Sequence, residues 1–132
     1  MVTSPSIQYK IDNLCSFSIN KTILEVTLNP GLYEKADIEQ ILKKLSEYAS
    51  GKEFLIMINC VQGARTTIEG LRRLAGQNAM SYALAKAYVL HTFHQRFMAR
   101  LYVLLFRPNK PVRIFTDEKK ARKWLDDLLI ME

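Results

Sequence analysis

The sequence predicts an α/β domain built on a mixed open sheet of about five strands. The expected order is β-β-α-β-α-β-α-β-α, an N-terminal hairpin followed by parallel strands with flanking helices. Three observations carry this reading. Alternating apolar residues near the N-terminus have the two-residue period of a half-buried hairpin. The run Phe54 to Cys60, FLIMINC, is apolar at all but Asn59, as in a strand covered on both faces. Apolar residues then recur at helical spacing between strand-like segments, which calls for parallel pairing through crossovers.

The elements follow in order. Ile7, Tyr9 and Ile11 alternate with polar neighbours, and after a break at Asp12-Asn13 so do Cys15, Phe17 and Ile19. Asn20-Lys21 supplies a turn, because Asn tolerates positive φ. The return strand Thr22–Leu28 puts Leu24, Val26 and Leu28 on one face, and Asn29-Pro30-Gly31 closes it with a turn. A helix over Glu34–Ser50 places Ile38, Ile41, Leu42, Leu45 and Ala49 on one arc, with Gly51 as terminator.

After FLIMINC, the loop VQGART leads into a second helix over Thr67–Gly76. Thr66 followed three residues later by Glu69 has the spacing of a capping box. Gln77–Ala85 reads as a loop or continued helix, and Lys86–His91 as a third core strand. Phe93–Arg107 is a long helix, stopped by Pro108 and Pro111. Val112–Thr116 is a short strand. The last helix carries Asp117 and Glu118 in its first turn and an apolar stripe of Ala121, Trp124, Leu125, Leu128 and Leu129.

Composition bounds the function. The 132 residues are 48% hydrophobic and 24% charged, ordinary for a globular chain, and suit a single domain over residues 1–132. The longest stretch without a charge, Leu74–Ala85, has 12 residues, too few for a membrane span. The start MVTSPSIQYKIDN lacks the pattern of a secretory signal. Two cysteines make no disulfide framework, so a cytoplasmic location is expected. Charge is uneven: residues 1–64 hold 6 Lys+Arg against 7 Asp+Glu, net −1, and residues 65–132 hold 13 against 6, net +7. Such an excess marks an anionic partner or simply a solvated basic surface.

The order of elements, the segment SFSINKTILEVTLNPG, the core strand FLIMINC and above all the ending RPNKPVRIFTDEKKARKWL resemble the STAS domain, the fold of bacterial anti-sigma-factor antagonists. The similarity is greatest to small stand-alone bacterial STAS-like proteins of unassigned function. It implies a regulatory module that works by protein-protein contact, without catalysis or cofactor. In regulatory members a Ser or Thr after the core strand, within an Asp-Ser-x-Gly-like motif, is phosphorylated by the partner kinase. Here the stretch reads Gly63-Ala64-Arg65-Thr66-Thr67-Ile68-Glu69-Gly70, so Thr66 or Thr67 takes that place, with Arg65 beside it, and the Asp and Ser are missing.

Other chemistry is thinner. A phosphate at the helix start would gain from exposed N–H groups, but helix capping explains Thr66 without one. Cys60 and His91 end two neighbouring strands, where α/β sheets bind ligands, yet no third catalytic partner stands near them. His91-x-x-His94 offers two metal ligands where zinc needs three, and His94 on an apolar arc reads as a core histidine. Arg96, Arg100 and Arg107 fall within about 40° on the third helix, and with Lys110 they form the candidate anion-binding stripe; nucleic acid is the alternative partner. The large apolar residues of that helix span about 220°, more than a sheet can cover. A homodimer through Met98, Tyr102 and Phe106 is the expected use of the surplus.

Overall fold

The computed structural model describes residues 9–11, 15–20, 23–74, 81–107 and 110–130. Ile7, the Asp12-Asn13 break, Lys21 and Thr22 of the hairpin, residues 75–76 at the expected end of the second helix, residues 77–80 of the ambiguous segment and Pro108 lie outside them. The chain runs β1 (Tyr9–Ile11), β2 (Cys15–Asn20), β3 (Ile23–Leu28), β4 (Gly31–Tyr33), α1 (Lys35–Ala49), β5 (Phe54–Cys60) and β6 (Ala64–Thr66). It continues α2 (Ile68–Leu74), β7 (Ala83–Leu90), α3 (Phe93–Phe106), β8 (Val112–Phe115) and α4 (Glu118–Ile130). The main sheet has six strands in the order β1-β2-β3-β5-β7-β8. β1, β2 and β3 are antiparallel, and β3, β5, β7 and β8 are parallel, which is the mixed α/β architecture expected.

Three details differ from expectation. Gly31–Tyr33 and Ala64–Thr66, read as turn and loop, pair in parallel as a separate two-stranded sheet. Strands of three residues carry no periodicity that a sequence window detects. β7 begins at Ala83 rather than Lys86 and ends before His91, its start hidden by three alternating Ala residues. The helix cap also moves by one residue.

Thr67, not Thr66, caps α2: its Oγ1 accepts from the Gly70 N–H at 3.0 Å. Thr66 instead donates its hydroxyl to the Tyr33 carbonyl at 2.6 Å, holding β6 to β4. Two consecutive threonines offer the same cap to a sequence reader, and strand pairing decides which is used. The fit is close, since a Cβ on Gly70 would stand 2.2 Å from Thr66 Oγ1.

Alternation along the strands sorts the core into two layers. Leu24, Val26, Ile56, Ile58, Tyr88 and Leu90 face α1, α2 and α3. Ile23, Leu55, Met57, Ala85, Ala87 and Val89 face α4, which inserts Ala121 and Leu125 there. Small side chains on both α4 and β7 let the helix lie close to the sheet. Arg122 of α4 then reaches Glu25 on β3 and, at 3.0 Å, Glu118. No described helix is long and apolar enough to cross a membrane.

Replacing Thr67 with Ala is expected to cost about 0.5–2 kcal/mol through the lost cap. Gly70→Ala is expected to cost about 1–3 kcal/mol, because the added methyl displaces Thr66. Urea midpoints measure both, and an unchanged midpoint in Thr67→Ala would put the cap elsewhere.

Candidate functional site

Parallel α/β sheets leave a crevice beyond the carboxyl ends of their strands, and here the cavity lies at that end. Its volume is about 90 Å³. The floor is Leu28 of β3, Cys60 of β5, and Tyr88 and Leu90 of β7. One wall is Ile38, Leu71 and Leu74 from α1 and α2; the other is Gln95, Met98, Ala99 and Tyr102 from α3. Tyr33, Ala64, Arg65 and Thr66 complete the lining from the two-stranded sheet.

A single side chain docks α3 over this floor. The Gln95 amide donates from Nε2 to the Val61 and Ala64 carbonyls, each at 2.9 Å. Its Oε1 accepts from the His91 N–H at 2.8 Å. Thr92 caps the helix, its Oγ1 accepting from the Gln95 N–H at 3.1 Å. Gln95 escaped notice in the sequence. The available signal was a neutral amide standing among Ala99, Tyr102 and Phe106 on one helical arc, where a polar group needs a reason.

With Gln95 turned inward, Met98, Tyr102 and Phe106 follow it onto the sheet. Tyr102 is 3% exposed, and Met98 and Phe106 pack on the same core. Tyr102 is thereby withdrawn from the dimer contact expected from the sequence, while Met98 and Phe106 stay half-buried. The outer face holds Phe93 (73% exposed), Phe97, Leu104 (72% exposed) and Leu105 instead. The surplus of apolar residues was legible, but an angular count of an isolated helix does not say which arc the sheet takes.

The remaining candidates separate. Cys60 faces the cavity, whereas the His91 ring lies 2.9 Å from Asn59 Oδ1, on the opposite side of the sheet by strand alternation. The two share a strand end without meeting. His94 is exposed rather than a core histidine, and it too lines the cavity. The Thr66 hydroxyl donates to Tyr33, so a phosphate there removes the proton of that bond, whereas Thr67 only accepts from Gly70. Arg100 and Arg107 are exposed and Arg96 half-buried. Among the described residues none of these three pairs with a carboxylate. Lys110 donates to the Ser81 carbonyl at 3.1 Å.

Two polar features of the inner wall stand out. The Tyr88 hydroxyl is buried with no partner at full hydrogen-bond geometry. Burial first, then Tyr102 and Cys60 nearby, holds its phenol well above the ordinary range. Lys86, 6% exposed, donates to the Tyr102 hydroxyl at 2.8 Å, with its Nζ 5.4 Å from that ring's centre. The thiols are equally shielded: burial pushes Cys15 up to about 11 and Cys60 up to about 12.

Residues 17–129 match the family model described as Domain of unknown function (DUF7793), and the chain belongs to that family. None of the curated proteins matches it. Among solved structures it is similar to an uncharacterised DUF3478-family protein from Shewanella loihica PV-4, described as having a SpoIIAA-like fold. The TM-score is 0.61 at 14% identity, over 95% of this chain and 98% of that one. At that identity the fold is what the two share, and it is the STAS-like fold that the sequence resembles.

Two outcomes follow. Gln95→Leu keeps the volume but takes a partner from the Ala64 carbonyl and the His91 N–H, while Val61 keeps the Ala64 N–H, and is expected to cost about 2–4 kcal/mol in urea unfolding. Alkali is expected to destabilise the fold. Unfolded thiols ionise near 9.0 while the folded Cys15 and Cys60 stay protonated toward 11 and 12, so stability holds below pH 9 and falls above it. The urea midpoint should drop between about pH 8 and about pH 10.5, less steeply when both cysteines are Ala.

Proposed function

We propose that this member of the DUF7793 family is a non-catalytic, cytoplasmic binding module that docks an acidic partner protein on the outer face of α3. The carrying observation is the exposed stripe Phe93, Phe97, Leu104 and Leu105, bordered by Arg100 and Arg107. Exposed apolar patches of this kind mark interaction surfaces, and arginine is favoured at interfaces for its planar pairing with carboxylates. α3 carries no Asp or Glu from Phe93 to Phe106. A second copy of the same helix therefore brings only more arginine to the contact. Charge complementarity favours a partner that presents carboxylates beside its own apolar residues.

A second reading has its own support. The Phe93 and Phe97 rings stack at 6.3 Å and 19°, next to cations, as in surfaces that bind single-stranded nucleic acid. Leu104 and Leu105 offer nothing to a phosphate backbone, and for that reason the protein partner is preferred.

The test compares full-length wild type, Phe97→Asp and Arg100→Glu as baits in the native cytosol. Both replaced residues are on the solvent side, so both variants should fold. The expected result is one acidic protein held by wild type, with retention reduced about tenfold or more by each substitution. Equal retention by all three baits, or retention of no acidic protein, overturns the proposal. Salt-sensitive retention of nucleic acid that Arg100→Glu abolishes replaces it with the second reading.

A further inference from the structure

The outer face of α3 leaves its inner face unexplained. A cavity of about 90 Å³ is lined almost wholly by carbon, yet it has a polar inner end. Tyr88 and Tyr102 both line it, their rings 6.0 Å apart in an edge-on arrangement. Buried hydroxyls in proteins are nearly always paired, and leaving one unpaired costs stability. The hydroxyl of Tyr88, a residue only 8% exposed, has no partner at full hydrogen-bond geometry, and the Tyr102 hydroxyl is the polar group near enough to influence it.

The neighbouring groups say which kind of atom is missing. The Tyr102 oxygen already accepts from the Lys86 ammonium, which leaves its own proton to be donated. Among the described residues no carboxylate pairs with Lys86, so the positive charge behind the wall is answered only by the Tyr102 oxygen and ring. Two phenol protons in front of a buried cation call for an acceptor oxygen carrying negative partial charge. The surrounding Leu28, Leu71, Leu90 and Met98 call for a hydrocarbon body. An empty apolar cavity of this general size accepts a small hydrocarbon-like molecule when one is available.

We propose that the cavity beneath α3 is a binding site for a small aliphatic carbonyl compound, whose oxygen accepts from the Tyr88 hydroxyl and whose carbon skeleton fills the space between α2 and α3. This site is separate from the docking face and does not depend on it. Arg65 and His94, also at the lining, are the polar side chains past which such a molecule would enter.

Cyclopentanone and cyclopentane are the probes, matched in shape and differing by one oxygen. Amide shifts of the full chain are followed by NMR as each is added. The expected result is that both perturb Leu71, Leu90 and Ala99, the ketone relying on its bond to Tyr88 because its carbonyl gives up water on entry. Tyr88→Phe removes only that hydroxyl and should fold as well as wild type. It is expected to weaken cyclopentanone about tenfold, the ratio of one net hydrogen bond, while leaving cyclopentane within about twofold. No perturbation by either probe, shifts confined to residues elsewhere, or a Tyr88→Phe variant that binds cyclopentanone as tightly as wild type each overturns the proposal. Since none of these readouts involves a partner protein, failure here is distinguishable from failure of the docking face.

Discussion

The Gln95 amide is the interaction on which the rest of the site depends. It joins three backbone groups, those of Val61, Ala64 and His91, from segments that no ladder of the sheet connects there. Without it the Ala64 carbonyl at the start of β6 and the His91 N–H at the entry to α3 would lose this partner, and a neutral amide serves both without the cost of a buried charge. Its second effect is rotational. A helix with one side chain tied to the sheet has its inward arc decided, and every later residue follows at 100° steps.

That rotation accounts for both faces of α3. Met98, Ala99, Tyr102 and Phe106 come down on the sheet, where Ala99 is small enough to leave space rather than fill it. The space becomes the cavity, with Tyr88 and the Lys86–Tyr102 pair at its polar end. The same rotation sends Phe93, Phe97, Leu104 and Leu105 into solvent beside the arginines. α4 shows the contrast. It has one buried arc, anchored by Ala121 and Leu125, and its outer side carries charge, as in a helix that has finished its packing.

Much of the fold was legible because its signals are long. FLIMINC, the apolar arc of the fifteen-residue α1 and the stripe of α4 each repeat over enough positions to exclude the other period. What escaped was decided by tertiary contact. The pairing of β4 with β6 joins segments of three residues each, too short to show alternation. The choice between Thr66 and Thr67 as cap was made by the Tyr33 carbonyl, distant in sequence. The separation of Cys60 from His91 follows from the strand alternating past its end, which adjacency of the two strand ends conceals. The apolar surplus on α3 was countable from sequence, while its direction waited on Gln95.

The account makes α3 a helix whose outer arc is complete only when a different, acidic protein covers it. Sedimentation equilibrium of the chain alone tests this most directly, because a surface built for itself would pair without help. The account predicts a mass of one chain, 15.3 kDa, with no concentration dependence into the tens of micromolar. A mass of two chains, reverting to one on Phe97→Asp, would contradict it and make the second copy the occupant of that face.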